Sequence, residues 1–163
     1  MDVKTLGAKV RRRREELGLT QQRLAKLAAL SDQVLQRLES GTFEDPCDPQ
    51  IFCVLSILGL GFDTVSLDSR KKKRGLWMAA KTSSVSYAGE LTEEMLVHSL
   101  VTGMPPIGFE PHIRYLLDEV PISIVVMAVE ETAAHENCPP AQIWNNLSQL
   151  ATTYGGSRRE MWE

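Results

Sequence analysis

The sequence predicts a mainly helical protein of two modules joined by a basic, polar segment. Three observations carry that expectation. Apolar residues recur three and four positions apart through most of the chain, the spacing that paints one face of a helix. Capping residues and glycines punctuate the periodic stretches where helices should begin and end. The charge also changes sign along the chain: Met1 to Arg74 holds 14 Lys and Arg against 10 Asp and Glu, whereas Gly75 to Glu163 holds 4 against 11. A first module of net +4 and a second of net −7 suit different partners, a polyanion and a basic surface.

In the first module, Leu6, Val10, Arg14 and Leu17 place a helix over about Thr5 to Leu17, stopped by Gly18. Thr20 is an N-cap for a second helix, Gln21 to Ala28, that buries Leu24 and Leu27. Ser31 caps a third, Asp32 to Ser40, with Val34, Leu35 and Leu38 inward and Gly41 as a left-handed stop. A fourth, Pro49 to Leu58, carries a stripe of Ile51, Val54, Leu55 and Leu58. Phe62, Thr64, Val65 and Leu67 then fall in a short stretch patterned like a strand, with an irregular loop as the alternative. A lone strand needs a partner for its backbone, and the same strand of a second subunit would supply one.

The segment LGLTQQRLAKLAALSDQVLQRLESG resembles the helix-turn-helix of the phage-repressor (XRE, Cro/CI-like) family, in its LGLTQ opening, paired Leu24-Ala25, Ser31 cap and closing Leu38-Glu39-Ser40-Gly41. The resemblance implies a sequence-specific DNA reader whose third helix lays its N-terminal residues along base edges in the major groove. Carried onto this sequence, Asp32, Gln33, Gln36 and Arg37 would face the bases, with Ser31 at the helix start. Gln21 and Gln22 would meet phosphate. The resemblance further suggests that Arg14 pairs with Glu39, against the alternative of two independent solvated charges. Two residues depart from the pattern. Ala29 stands where the turn usually has Gly, and Asp32 puts a carboxylate near phosphates, either as a specificity element or as a helix-start residue.

Arg11 to Arg14 spread around the first helix, so one or two, Arg11 among them, could reach phosphate while the others are solvated. Arg70 to Arg74 is a dense cationic run. Beside a DNA-binding unit, Lys71, Lys72 and Lys73 would attract phosphate through counterion release, and a solvated linker is the alternative. Residues 1–68 are thus expected as the DNA-binding domain with its terminal strand, 69–90 as a linker that includes the Lys81 to Gly89 stretch, and 91–163 as an acidic helical domain.

That last domain should hold four helices: one capped by Thr92, one marked by Ile113, Leu116, Leu117 and Val120, one running from Ile122 along Val125, Val126, Val129 and Ala133, and one opened by Pro139-Pro140. Trp144 should be core or an interface anchor. The C-terminal GGSRREMWE should be flexible, with Trp162 free to enter a partner's groove. No GxSxG, Cys/His elbow or P-loop occurs, and Glu93, Glu94, Glu130 and Glu131 read as exposed helix acids, so no enzyme is expected. Cys47, Cys53 and Cys138 are few and scattered, which suits buried thiols in a reducing cytoplasm, and neither they nor His98, His112 and His135 show metal-ligand spacing; no cofactor is expected. No run of about 18 apolar residues occurs and no apolar signal core follows Met1, so a cytoplasmic protein with no membrane partner is expected.

A repressor-like head on an acidic helical tail resembles the autoregulatory antitoxins, and a terminal strand resembles those that pair with HipA-type kinase toxins. The resemblance implies a homodimer on a palindromic operator and a cognate toxin as the second partner. The alternative is a ligand-sensing repressor whose second module binds a small molecule.

Overall fold

A computed structural model describes residues 2–45, 47–61 and 72–163, and its described elements are all helical. Four helices make the N-terminal unit: α1 (Val3–Glu16), α2 (Gln21–Leu27), α3 (Asp32–Ser40) and α4 (Pro49–Leu58). Asp2, Thr20, Ser31 and Asp48 each turn a side-chain oxygen onto a backbone N–H of the helix they precede, a contribution of about 1 kcal/mol per cap. Bonds from the Thr5 hydroxyl and then the Thr5 amide hold the Asp2 carboxyl below its ordinary range. Gly18, Gly41 and Gly59 take the left-handed conformation that ends α1, α3 and α4. Leu6, Val10, Leu24, Leu35, Leu38, Val54 and Leu58 form the buried centre, and Val34 is half-buried at its margin.

Among the described residues six further helices follow: α5 (Gly75–Ser84), α6 (Glu93–Thr102), α7 (Glu110–Asp118), α8 (Ile122–His135), α9 (Pro140–Tyr154) and α10 (Arg159–Trp162). Helix α5 packs chiefly on α8, and α9 lies against α6, α7 and α8. The two halves share one apolar cluster. Helix α4 packs on α8 and α10 packs on α2. Arg13, buried in α1, donates from Nε to the Leu58 carbonyl and from Nη2 to Glu130 of α8, at 3.0 and 2.8 Å.

The structure revises four sequence expectations. Lys81 to Ser84 belongs to α5 rather than to a linker or extended segment. The hydroxyls of Thr82, Ser83 and Ser84 bond back to the carbonyls four residues earlier, so they satisfy themselves within a helix. Leu76, Ala79 and Ala80 meanwhile supply the buried stripe. The C-terminal stretch is folded: Asp118 accepts from the amides of Gly156 and Arg158, and Trp162 is 3% exposed with its indole N–H on the Leu117 carbonyl at 2.9 Å. That ring covers the end of α7 and is closed to any partner. Arg13 is buried instead of solvated, because it finds Glu130 and the Leu58 carbonyl at the end of α4, whereas Arg14 is buried in the pair with Glu39 that the resemblance suggests. All three cysteines are free thiols, yet Cys47 and Cys53 are exposed, on a loop and on the outer face of α4. The strand expected over Phe62, Thr64, Val65 and Leu67, and Lys71, lie outside the described residues.

Gly18 and Ala29 form a pair of opposite tests. Both have positive φ, +66° and +54°. A Cβ on Gly18 would lie 2.7 Å from the Ala141 nitrogen, so Gly18→Ala should cost about 2–4 kcal/mol through backbone strain and overpacking. Ala29 is exposed and already bears the strain. Ala29→Gly should stabilise by about 0.5–1 kcal/mol. Urea midpoints at constant m-value check both signs.

Candidate nucleic-acid interface

Helix α2 ends at Leu27, and the chain turns through Ala28, Ala29 and Leu30, with the Leu30 amide on the Ala25 carbonyl at 2.8 Å. Ser31 then opens α3 by accepting from the Val34 amide at 3.3 Å. The far end of α3 is pressed onto α1. A Cβ on Gly7 would stand 2.4 Å from the Leu38 carbonyl oxygen, and one on Gly41 would stand 2.8 Å from the Lys4 Cα. Only residues without a side chain permit that approach. The crossing pins the C-terminal turn of α3, buries Leu35 and Leu38, and leaves the leading turns outward.

On that outward face the structure brings together Asp32, Gln33, Gln36 and Arg37, all exposed. Their spacing places them on adjoining rows of one helix face. Two amides and a guanidinium offer the donor and acceptor pairs that fit purine edges, and a carboxylate can accept from cytosine N4. Helix α3 packs on α1 and α2, which leaves this row open.

Behind α3 sits a buried polar cluster. Arg14 donates to both Glu39 oxygens, from Nε at 2.6 Å and Nη2 at 3.1 Å, and from Nη1 to the Leu19 carbonyl at 2.8 Å. The Arg14 and Glu39 side chains are 10% and 3% exposed. Gln21 completes the set, its amide nitrogen donating to Glu39 at 2.7 Å. The side chain expected at a phosphate is therefore turned inward as a brace, while Gln22 beside it is exposed. Arg11 is exposed but pairs with Glu15 one turn on, at 3.0 Å. Lys72 and Lys73 are exposed. Arg74 pairs with Glu93 at 2.6 Å and lies over the Trp77 ring, so it serves the bundle.

Sequence reasoning missed the contacts that hold this unit to the bundle. The Trp144 indole N–H reaches the Leu17 carbonyl at 2.7 Å, and Arg23 reaches the Asn145 side chain at 2.7 Å. Nothing in local spacing pairs residues more than 120 positions apart; the sole sequence hint was an indole beside an apolar stripe, which needs a hydrogen-bond acceptor when buried.

Residues 10–44 match the Helix-turn-helix family model. This is a DNA-binding helix-turn-helix of the phage-repressor type. A chain built on a helix-turn-helix of this kind is a DNA-binding transcriptional regulator. No curated protein and no solved structure matches the chain. Among the described residues, no helix is long and apolar enough to cross a membrane.

Glu39→Ala would strand the Arg14 guanidinium without its carboxylate in a site from which water is largely excluded. The expected loss is about 3–5 kcal/mol of unfolding free energy. A loss below about 1 kcal/mol would show the pair to be no better than a surface salt bridge.

Proposed function

We propose that this regulator binds a palindromic operator as a homodimer and represses its own operon as the antitoxin partner of a toxin. Base reading falls to Asp32, Gln33, Gln36 and Arg37, with Gln22 and the basic run of Lys71, Lys72 and Lys73 on phosphate. The observation that carries the DNA-reading part is the exposed row on the leading turns of α3, set on a helix whose other end is clamped. Two such helices one DNA turn apart, related by a twofold axis, read a palindrome.

Charge supports the split between reader and anchor. Residues 2–61 hold nine Lys and Arg against eight Asp and Glu, and Arg13 and Arg14 among these are internally paired. The surplus of the first module therefore comes from Arg70 to Arg74. For the second module, net −7 over residues 75–163 suits a basic protein surface such as the substrate side of a nucleotide-using toxin. A ligand-sensing role is the second reading. It is favoured by an open groove of about 480 Å³ along α6 and α8, with Leu76, Val97 and Val101 as its apolar floor.

Co-expression with the product of the neighbouring gene, followed by pull-down through either chain, separates these readings. A stable complex that suppresses that protein's toxicity supports the antitoxin role. No complex, together with melting of the lone chain shifted by a metabolite, supports the sensor.

Arg37→Ala should lose about 1–3 kcal/mol at one base position and relax selectivity there. Competition binding against operators permuted base by base measures both effects. Neutralising Lys71, Lys72 and Lys73 together should lower the magnitude of the log K against log salt slope by about 2–3 per chain and weaken all duplexes alike. An unchanged slope assigns the run to a spacer role.

A further inference from the structure

Three successive residues of α9 face three different parts of the molecule. Asn146 donates from Nδ2 to the Leu100 and Val101 carbonyls, at 2.9 and 2.7 Å, in the last turn of α6. Trp144 donates to the Leu17 carbonyl at the end of α1, and Asn145 accepts from Arg23 of α2. The contact is stiff on the helix-turn-helix side, because the start of α9 leaves no room for a Cβ on Gly18. Polar contacts then continue inward through the same turn. Arg14 holds the Leu19 carbonyl and Glu39, and Glu39 holds Gln21. Glu39 belongs to α3 itself. An uninterrupted series of packed and hydrogen-bonded groups thus runs from the last turn of α6 to the recognition helix.

We infer that residues Trp144 to Asn146 are a coupling device, through which the position of the last turn of α6 sets how firmly the α1–α2 turn, and with it α3, is held. The inference rests on α3 being the DNA-reading helix. The input end is accessible: Val101 and Thr102 line the groove along α6 and α8. A group that displaces this lining pulls on Asn146, and the neighbouring Trp144 and Asn145 carry the displacement to the turn. Both links are buried or half-buried hydrogen bonds to carbonyls at helix ends, groups that have few other partners within the helix. Asn146 makes no hydrogen bond to the helix-turn-helix; in this scheme it acts on DNA reading only through its neighbours.

Hydrogen exchange on the full chain tests the device without DNA. Trp144→Phe keeps an aromatic ring but removes the indole N–H, and Asn146→Ala keeps the helix but frees the two α6 carbonyls. In both variants the amides of Leu19 and Leu24, which close the turn and the start of α2, should exchange about tenfold faster, while those of Ile113 and Leu117 in α7 keep their wild-type rates. Equal acceleration at all four amides would mean general loosening and would overturn the proposal, as would an unchanged Leu19 in Asn146→Ala. Affinity is then measured for a duplex that the wild-type protein selects from a random-sequence pool. Asn146→Ala should bind it three- to tenfold more weakly, and unchanged affinity would overturn the link to DNA reading. A wild type that selects no duplex would refute α3 as the reader, an outcome the exchange rates keep distinct.

Discussion

Glu39 lies almost wholly out of water with the Arg14 guanidinium turned on both its oxygens and the Gln21 amide on one of them. Three helices meet in that contact. Arg14 comes from α1, Gln21 from α2 and Glu39 from α3, and the Leu19 carbonyl adds the turn between the first two. A buried ion pair is a poor source of net stability, since desolvating both charges offsets much of their attraction. What it supplies is intolerance of alternatives. Apolar faces can slide by a rotamer, whereas a bidentate guanidinium and carboxylate match in one register. The exposed row of α3 inherits its direction from that register.

A second rule runs through the rest of the molecule. The last carbonyls of a helix have no partner within it. Here, helix after helix is closed by a long side chain from a distant part of the sequence. Trp144 takes Leu17 at the end of α1, Arg13 takes Leu58 in α4, and Asn146 takes Leu100 and Val101 in α6. Trp162 and Arg158 take Leu117, with Arg158 also reaching Val120 after α7. Burial lowers the Arg158 guanidinium from its ordinary value, against the pull of Asp118 and Glu119. Of these closures, Trp144 on Leu17 joins the helix-turn-helix to the bundle, and one apolar cluster spans both.

Much of the N-terminal unit was legible because its signals are local. Caps, left-handed glycines and the 3.6-residue stripe are each written within four residues of where they act, and α3 and α4 have the bounds expected of them. The exposed row on α3 was carried over from the resemblance, and it agrees with the inward period of Leu35 and Leu38. The Arg14–Glu39 pair was legible only through resemblance. Helix α5 was obscured by its hydroxyls, which read as linker until their bonds to preceding carbonyls are seen. Trp162 was misjudged because a chain end gives no clue to which uncapped carbonyl it will cover. The role of Gln21 turned on a competition between phosphate and Glu39 that spacing does not rank.

The near-balance of charge within residues 2–61 bears on how such a protein would find its target. Attraction to any duplex, regardless of sequence, is what lets a regulator slide and hop along a chromosome. A head that is nearly neutral, with Arg11 to Arg14 each paired to a carboxylate, contributes little to that grip. On the proposed assignment of base reading to α3 and phosphate to the basic run, travel along random sequence and choice of a final address would be housed in different stretches of one chain. Search speed could change with edits to the basic run alone, leaving the preferred address as it was.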